Sequence, residues 1–112
     1  MAHPVTWFQI SGRDGTQLQS FYKNVFGWQM NPSPDGSMAM VAPEKPDGIA
    51  GGIGPSMDGN PSVAVYVNCD DVDAQLARIE QAGGTTAMSK TELPSGMGFI
   101  AGFLDPGGNW VG

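Results

Sequence analysis

At 112 residues and 11.7 kDa, with a net charge of -6 and a pI near 4.3, the chain is one small domain, 1–112. Its five scattered basic residues could not neutralise a run of phosphates, so nucleic acid and anionic membrane are not expected partners. No apolar run approaches the roughly 20 residues of a spanning helix, no charged-then-apolar segment opens the chain, and the lone Cys69 closes no internal disulfide, so a cytoplasmic location is expected.

Apolar residues make up 40% and charged residues 14%, which opposes disorder, and 17 glycines with 9 prolines imply short elements joined by tight turns. Residues 4–10 alternate as a strand, with Phe8 and Ile10 on one face and Val5, Trp7 and Gln9 on the other. Asp14 or Thr16 can cap a first helix in which Leu18, Phe21, Tyr22, Val25 and Phe26 trace an apolar stripe, stopped by Gly27. Trp28–Met30 and Ser37–Val41 read as short strands around a turn at Pro32–Gly36, with Met38 and Met40 alternating against Ala39 and Val41. Ile49–Ile53 is a glycine-rich strand. Gly54–Pro61 is the best linker, and Ser62–Asn68 is a strand placing Val63, Val65 and Val67 opposite Ala64 and Tyr66. A second helix over about 71–82, opened by Asp70-Asp71 and closed by Gly83-Gly84, leads to strands at 85–91, 98–104 and 109–112.

The order is β-α-β-β-β, twice. Adding 57 carries Trp7 to Ala64, Phe8 to Val65, Asp14 to Asp71 and Gly27 to Gly84, and near the ends of the halves adding 60 carries Pro46 to Pro106 and Gly52 to Gly112. The repeat sets module one at about 4–54, a linker at about 54–61 and module two at about 62–112. Four segments carry a family likeness: Phe21-Tyr22-x-x-Val25-Phe26-Gly27-Trp28, Asp70-Asp71-Val72-Asp73, Gly83-Gly84, and Asp105-Pro106-Gly107-Gly108-Asn109. With them the chain resembles the vicinal oxygen chelate superfamily, which includes glyoxalase I, extradiol dioxygenases and bleomycin-resistance binding proteins. The resemblance implies an α+β fold of two tandem βαβββ modules whose sheets form a partly closed cup around a small molecule.

Metal-bearing members of that family place a ligand on the first and last strands of each module. Here the corresponding positions are Trp7, Gly52, Ala64 and Gly112, none with a side-chain donor, whereas first-row metal sites need three or four N, O or S donors. His3 lies four residues before the first of them, in a tail. Gln9, two residues along the same face, would enter the site only with a shifted register. No metal and no cofactor are expected.

By alternation the cup would be lined by Trp7, Gln9, Ala64, Tyr66 and Trp110, with Met38 or Met40 from the middle strand and room left by Gly52. Flat aromatic faces and adaptable thioethers suit a small aromatic or amphipathic organic ligand, as in the bleomycin-resistance branch. The structural alternative is that these aromatics fill a closed core. The expected function is metal-independent binding of a small molecule. The alternative is an enzyme of the same superfamily, either a metal-dependent glyoxalase-like lyase, isomerase or dioxygenase, or a metal-free one in which Tyr66 or Gln9 polarises a carbonyl, with catalytic residues otherwise unassigned. Trp110-Val111-Gly112 reads as a strand cut short, an edge that could seek a second copy in a homodimer. Cys69 beside two aspartates is a poor nucleophile, Asp105 supports its turn, and Lys90 and Glu92 have no assigned role.

Overall fold

The elements follow one another as β1 (Val5–Gly12), α1 (Gly15–Phe26), β2 (Gln29–Pro32), β3 (Ala39–Ala42), β4 (Ala50–Pro55), β5 (Ser62–Val67), α2 (Val72–Gln81), β6 (Thr85–Glu92), β7 (Phe99–Leu104) and β8 (Trp110–Val111). A single 3-10 turn, Pro94–Gly96, joins β6 to β7. The computed structural model describes residues 2–112, without the side chain of Ser95. The order is β-α-β-β-β twice, as the repeat implies, in a mixed α+β chain of two sheets and two helices.

The chain divides into two compact units, one spanning Val5–Tyr66 and one made of the residues before Val5 with Val67–Gly112. In the first, five strands run in the order β2-β3-β4-β1-β5, so β5 pairs in this sheet although the repeat gives it to module two. Strands β1 and β4 are parallel, with Phe8 beside Gly51 and Gln9 beside Gly52, and β3 is antiparallel to β4, with Met40 opposite Gly52. Ala39, Val41 and Ile53 form the buried apolar core among the described residues, Ile53 at 0% exposure.

Helix α1 begins where Asp14 accepts from the backbone N–H of Gln17 at 3.0 Å. It ends at Gly27, whose φ of 70° is the left-handed conformation that a side chain would disfavour. Two contacts seat it on the sheet. Gly15 is buried so closely that a Cβ there would lie 2.7 Å from Pro55 N. The Gln19 amide donates to the carbonyls of Ser37 at 3.0 Å and Ile53 at 2.9 Å. The apolar stripe read from the sequence therefore splits. Leu18 and Tyr22 are half-buried, whereas Phe21, Val25 and Phe26 are exposed, Phe26 at 59%. Glycine and glutamine take the contact face, and ring stacking partly covers the rest: Tyr22 lies near-parallel to Trp28 at 5.3 Å and Phe26 packs on Trp28 at 5.5 Å.

The second unit holds the three-stranded antiparallel sheet β6-β7-β8. Helix α2 is capped by Asp71, which accepts from Ala74 N at 3.1 Å, and gives way to Gly83 in the left-handed conformation. Val72, Leu76 and Ile79 are half-buried as their spacing predicts, while Ala82 is exposed. The Asp105 carboxylate accepts from the N–H groups of Gly107 and Asn109, both at 2.9 Å, and these bonds hold its carboxyl below the usual range. In the same unit Val67 N donates to Gly112 O and Asn68 N to Pro4 O, both at 2.8 Å.

Gly51 carries the Phe8 ring, and a Cβ at that position would sit 2.3 Å from the nearest ring carbon. A rigid ring in a sheet interior has little freedom to retreat. Gly51→Ala is expected to lower the unfolding free energy by about 1–3 kcal/mol, measured by urea denaturation. Gly102 is covered by the indole of Trp110, with a Cβ there meeting Cζ2 at 2.1 Å, so Gly102→Ala should cost a similar amount, about 1–3 kcal/mol.

Candidate functional site

Four of the residues singled out from the sequence meet on one face of the first sheet. Strand alternation turns Trp7 and Gln9 away from Phe8 and Ile10. The Trp7 indole Nε1 donates to Gln9 Oε1 at 3.0 Å, and Gln9 Nε2 lies 3.9 Å from Met38 Sδ. All three side-chain ends converge over Gly52. A Cβ built there would be 2.9 Å from Gln9 Oε1, 3.1 Å from Trp7 Cζ2 and 3.3 Å from Met38 Cε. Met40 sits opposite Gly52 on β3 and is 44% exposed. Gly54, which the sequence reading gave to the linker, extends this bare track along β4, with Met38 Sδ 2.0 Å from where its Cβ would be. The result is a half-buried indole edge, an amide and a thioether laid over a strand with almost no side chains.

Met38 is held by the turn between β2 and β3, a contribution the sequence reading missed. Ser33 N donates to Met38 O at 2.8 Å, and Met38 N donates to Ser33 Oγ at 3.1 Å. Asp35 in turn accepts from Ser33 Oγ at 2.6 Å, Ser37 Oγ at 2.8 Å and Ser37 N at 3.0 Å. These bonds, the one from the Ser33 hydroxyl first, lower the Asp35 carboxyl from 3.8 to about 2. The signal was present in Ser33-Pro34-Asp35-Gly36-Ser37, a turn signature whose serines can also bond to the carboxylate.

The remaining expected pocket residues are on β5 of the same sheet and on β8. Ala64 and Tyr66 share the more covered side of β5, Val63 and Val65 being exposed, and burial pushes the Tyr66 phenol up. Trp110 is on β8 in the other unit, its indole over Gly102. His3 is exposed ahead of β1, and Cys69 is a free, half-buried thiol.

The side chains at Trp7, Gly52, Ala64 and Gly112 do not fit a transition-metal ion, for they offer no donor, and the Gly112 carbonyl is taken up by Val67 N. The one amide oxygen close to Trp7 already accepts its indole N–H. Among the described residues no group of three or more His, Cys, Asp or Glu side chains is placed to hold a metal.

In the second unit Lys90 is occupied twice, 3.8 Å from the Asp73 carboxylate and 4.5 Å from the centre of the Phe99 ring. The Thr86 hydroxyl donates to Glu80 at 2.6 Å. These contacts tie α2 to β6 and β6 to β7, and they give Lys90 a structural part.

The chain belongs to the Glyoxalase/Bleomycin resistance protein/Dioxygenase superfamily, whose family model matches residues 5–112. It is 32% identical to the anthracycline biosynthesis protein DnrV of Streptomyces peucetius over 119 residues, covering 91% of this chain and 43% of that protein. It is 30% identical to the putative glyoxylase CFP32 of Mycobacterium bovis over 113 residues, covering 95% of this chain and 43% of that protein. The chain thus spans less than half the length of these curated relatives. Its fold is shared with a methylmalonyl-CoA epimerase from Streptomyces coelicolor solved with 2-nitronate-propionyl-CoA, at a TM-score of 0.65 and 17% identity, covering 99% of this chain and 92% of that one. The family expected from the four sequence segments is the family found. Among the described residues no helix is long and apolar enough to cross a membrane.

Because the folded Asp35 carboxyl lies below its ordinary 3.8, its support of the turn is complete above that value and is lost as pH falls through about 2. A carbon-detected NMR titration should place the Asp35 midpoint at about 2. Asp35→Ala should raise hydrogen exchange at the Ser37 and Met38 amides by about tenfold, with the far-ultraviolet spectrum unchanged.

Proposed function

We propose that this chain is a metal-independent receptor for a small, planar organic molecule, bound against the face of the first sheet that carries Trp7, Gln9, Met38, Met40 and Gly52. The observation that carries this reading is the convergence of an indole, an amide and a thioether over Gly52, with Met40 beside them and exposed. An aromatic edge and flexible sulfur atoms give contact area to a flat apolar ligand with little conformational cost, and an amide supplies a polar handle. None of these four side chains titrates near neutral pH, so the face is better suited to holding a molecule than to moving its protons. The family includes bleomycin-resistance proteins by its own description, and the relative DnrV is named for anthracycline biosynthesis, so a small organic ligand is consistent with both.

The rival is an enzyme of the superfamily acting on a small organic substrate. Two groups on the first sheet could serve it as hydrogen-bond donors to a carbonyl, the phenol of Tyr66, whose pKa burial raises, and the amide of Gln9. A receptor returns its ligand unchanged, and an enzyme does not.

Titrating the protein with planar aromatic compounds while following tryptophan fluorescence is expected to give a saturable change. Trp7→Ala should weaken binding by about tenfold or more, and prior dialysis against a chelator should leave the affinity unchanged. Absence of any saturable response overturns the receptor reading. So does stoichiometric Zn, Ni, Mn or Fe in protein purified without chelator, if its removal abolishes binding. Recovery of a chemically altered ligand would decide for the enzyme.

A further inference from the structure

We propose that Gln9 sets the ligand class, its amide nitrogen donating to a neutral carbonyl oxygen, so that the preferred ligand is a planar aromatic ketone or quinone rather than a bare hydrocarbon or a carboxylate. This rests on the receptor reading and goes one step further.

The orientation of the amide follows from its neighbour. An indole Nε1–H can only donate, so the atom of Gln9 that meets it at 3.0 Å must be the oxygen, and the nitrogen must face the other way. On that side lies Met38 Sδ at 3.9 Å, a weak acceptor at long range for one of two amide hydrogens. The second hydrogen has no partner among the described residues. The side chain is half-buried, so this donor is only partly served by water and would gain from a better acceptor. Gly52 fixes where that donor stands, since the amide oxygen rests 2.9 Å from the point a Cβ would occupy. The indole, clamped by its own hydrogen bond, provides the apolar edge beside it.

Charge narrows the class further. The basic residues of the first unit, Arg13, Lys23 and Lys45, are all exposed, and the chain as a whole carries -6. No cation belongs to the Trp7, Gln9 and Met38 cluster. A carboxylate brought there would lose water without gaining a counter-charge, whereas a ketone oxygen needs only one N–H.

The test compares two ligands of one shape, fluorenone and fluorene, with fluorene-9-carboxylate as the anionic control, using the full chain and calorimetry or fluorescence. The wild-type protein is expected to bind fluorenone about tenfold more tightly than fluorene, and the carboxylate more weakly than either. Gln9→Leu should reduce the fluorenone-to-fluorene affinity ratio from about tenfold to about one, whatever common change in both ligands follows from releasing the Trp7 indole. Gln9→Glu, which keeps an oxygen to accept the Trp7 indole N–H but removes the amide donor, should likewise bring that ratio to about one. A purely structural Gln9 would shift both ligands together, and equal wild-type binding of fluorenone and fluorene overturns the inference while the receptor reading stands. If neither ligand nor any other planar aromatic binds, both fail. Should Gln9→Leu prove unfolded by circular dichroism, the wild-type ratio and Gln9→Glu decide.

Discussion

Strand β4 governs what the first unit can be, because it lies inside a five-stranded sheet and has almost no side chains. Between Ala50 and Pro55 only Ile53 carries a large one, and three of the other positions are glycine. Glycine in a strand interior costs on the order of 0.5–1 kcal/mol relative to alanine, so a run of them needs compensation. The compensation comes from both faces at once. Phe8 crosses Gly51 on the side of Ile10 and Ile53, and Trp7, Gln9 and Met38 close over Gly52 on the other. The absent Cβ atoms are the space these side chains occupy, so the fold's packing and its candidate site depend on the same bare backbone.

The helix is subordinate to that strand. Gly15 lets α1 approach the end of β4 to near contact, and Gln19 then completes the carbonyls of Ser37 and Ile53. Both contacts belong to small or polar residues. The large apolar residues Phe21, Val25 and Phe26 are left on the outside, where Tyr22 packs on Phe21 and Trp28 on Phe26. Apolar periodicity marks a helix face reliably, yet at this helix the face that docks is chosen by how closely the backbone can approach. The turn after β2 has a comparable role at longer reach. Three hydrogen bonds to the Asp35 carboxylate hold Ser33 and Ser37, and Ser33 holds the backbone of Met38, so an exposed acidic turn decides where a thioether stands on the candidate site.

Superfamily membership narrows the chemistry less than the fold, for one scaffold serves many reactions and some binding proteins. On the face of the first sheet that carries Trp7, the Gln9 amide links the indole to the Met38 thioether. The charged residues of the second unit have structural partners: Lys90 between Asp73 and Phe99, Asp105 within its own turn, and Asp71 at the start of α2.

The sequence alone determined the order of the elements, the stop at Gly27, the turns around Asp35 and Asp105, and the superfamily, and it narrowed the helix caps to Asp14 or Thr16 and to Asp70 or Asp71. Each of these is written within a few consecutive residues, because a cap or turn bonds a side chain to a backbone group only two to four positions away. Strand alternation also placed Trp7 and Gln9 together, a matter of period two and nothing more. The pairing of β5 with the first sheet, the splitting of the α1 stripe and the crossing of Phe8 over Gly51 were decided only by tertiary structure. So were the meeting of Gln9 with Met38, 29 residues away, and of Gln19 with Ile53, 34 residues away. The reason is physical: such contacts depend on which backbones approach closely enough in three dimensions, and no local spacing encodes the distance between two strands that meet only after the chain has returned.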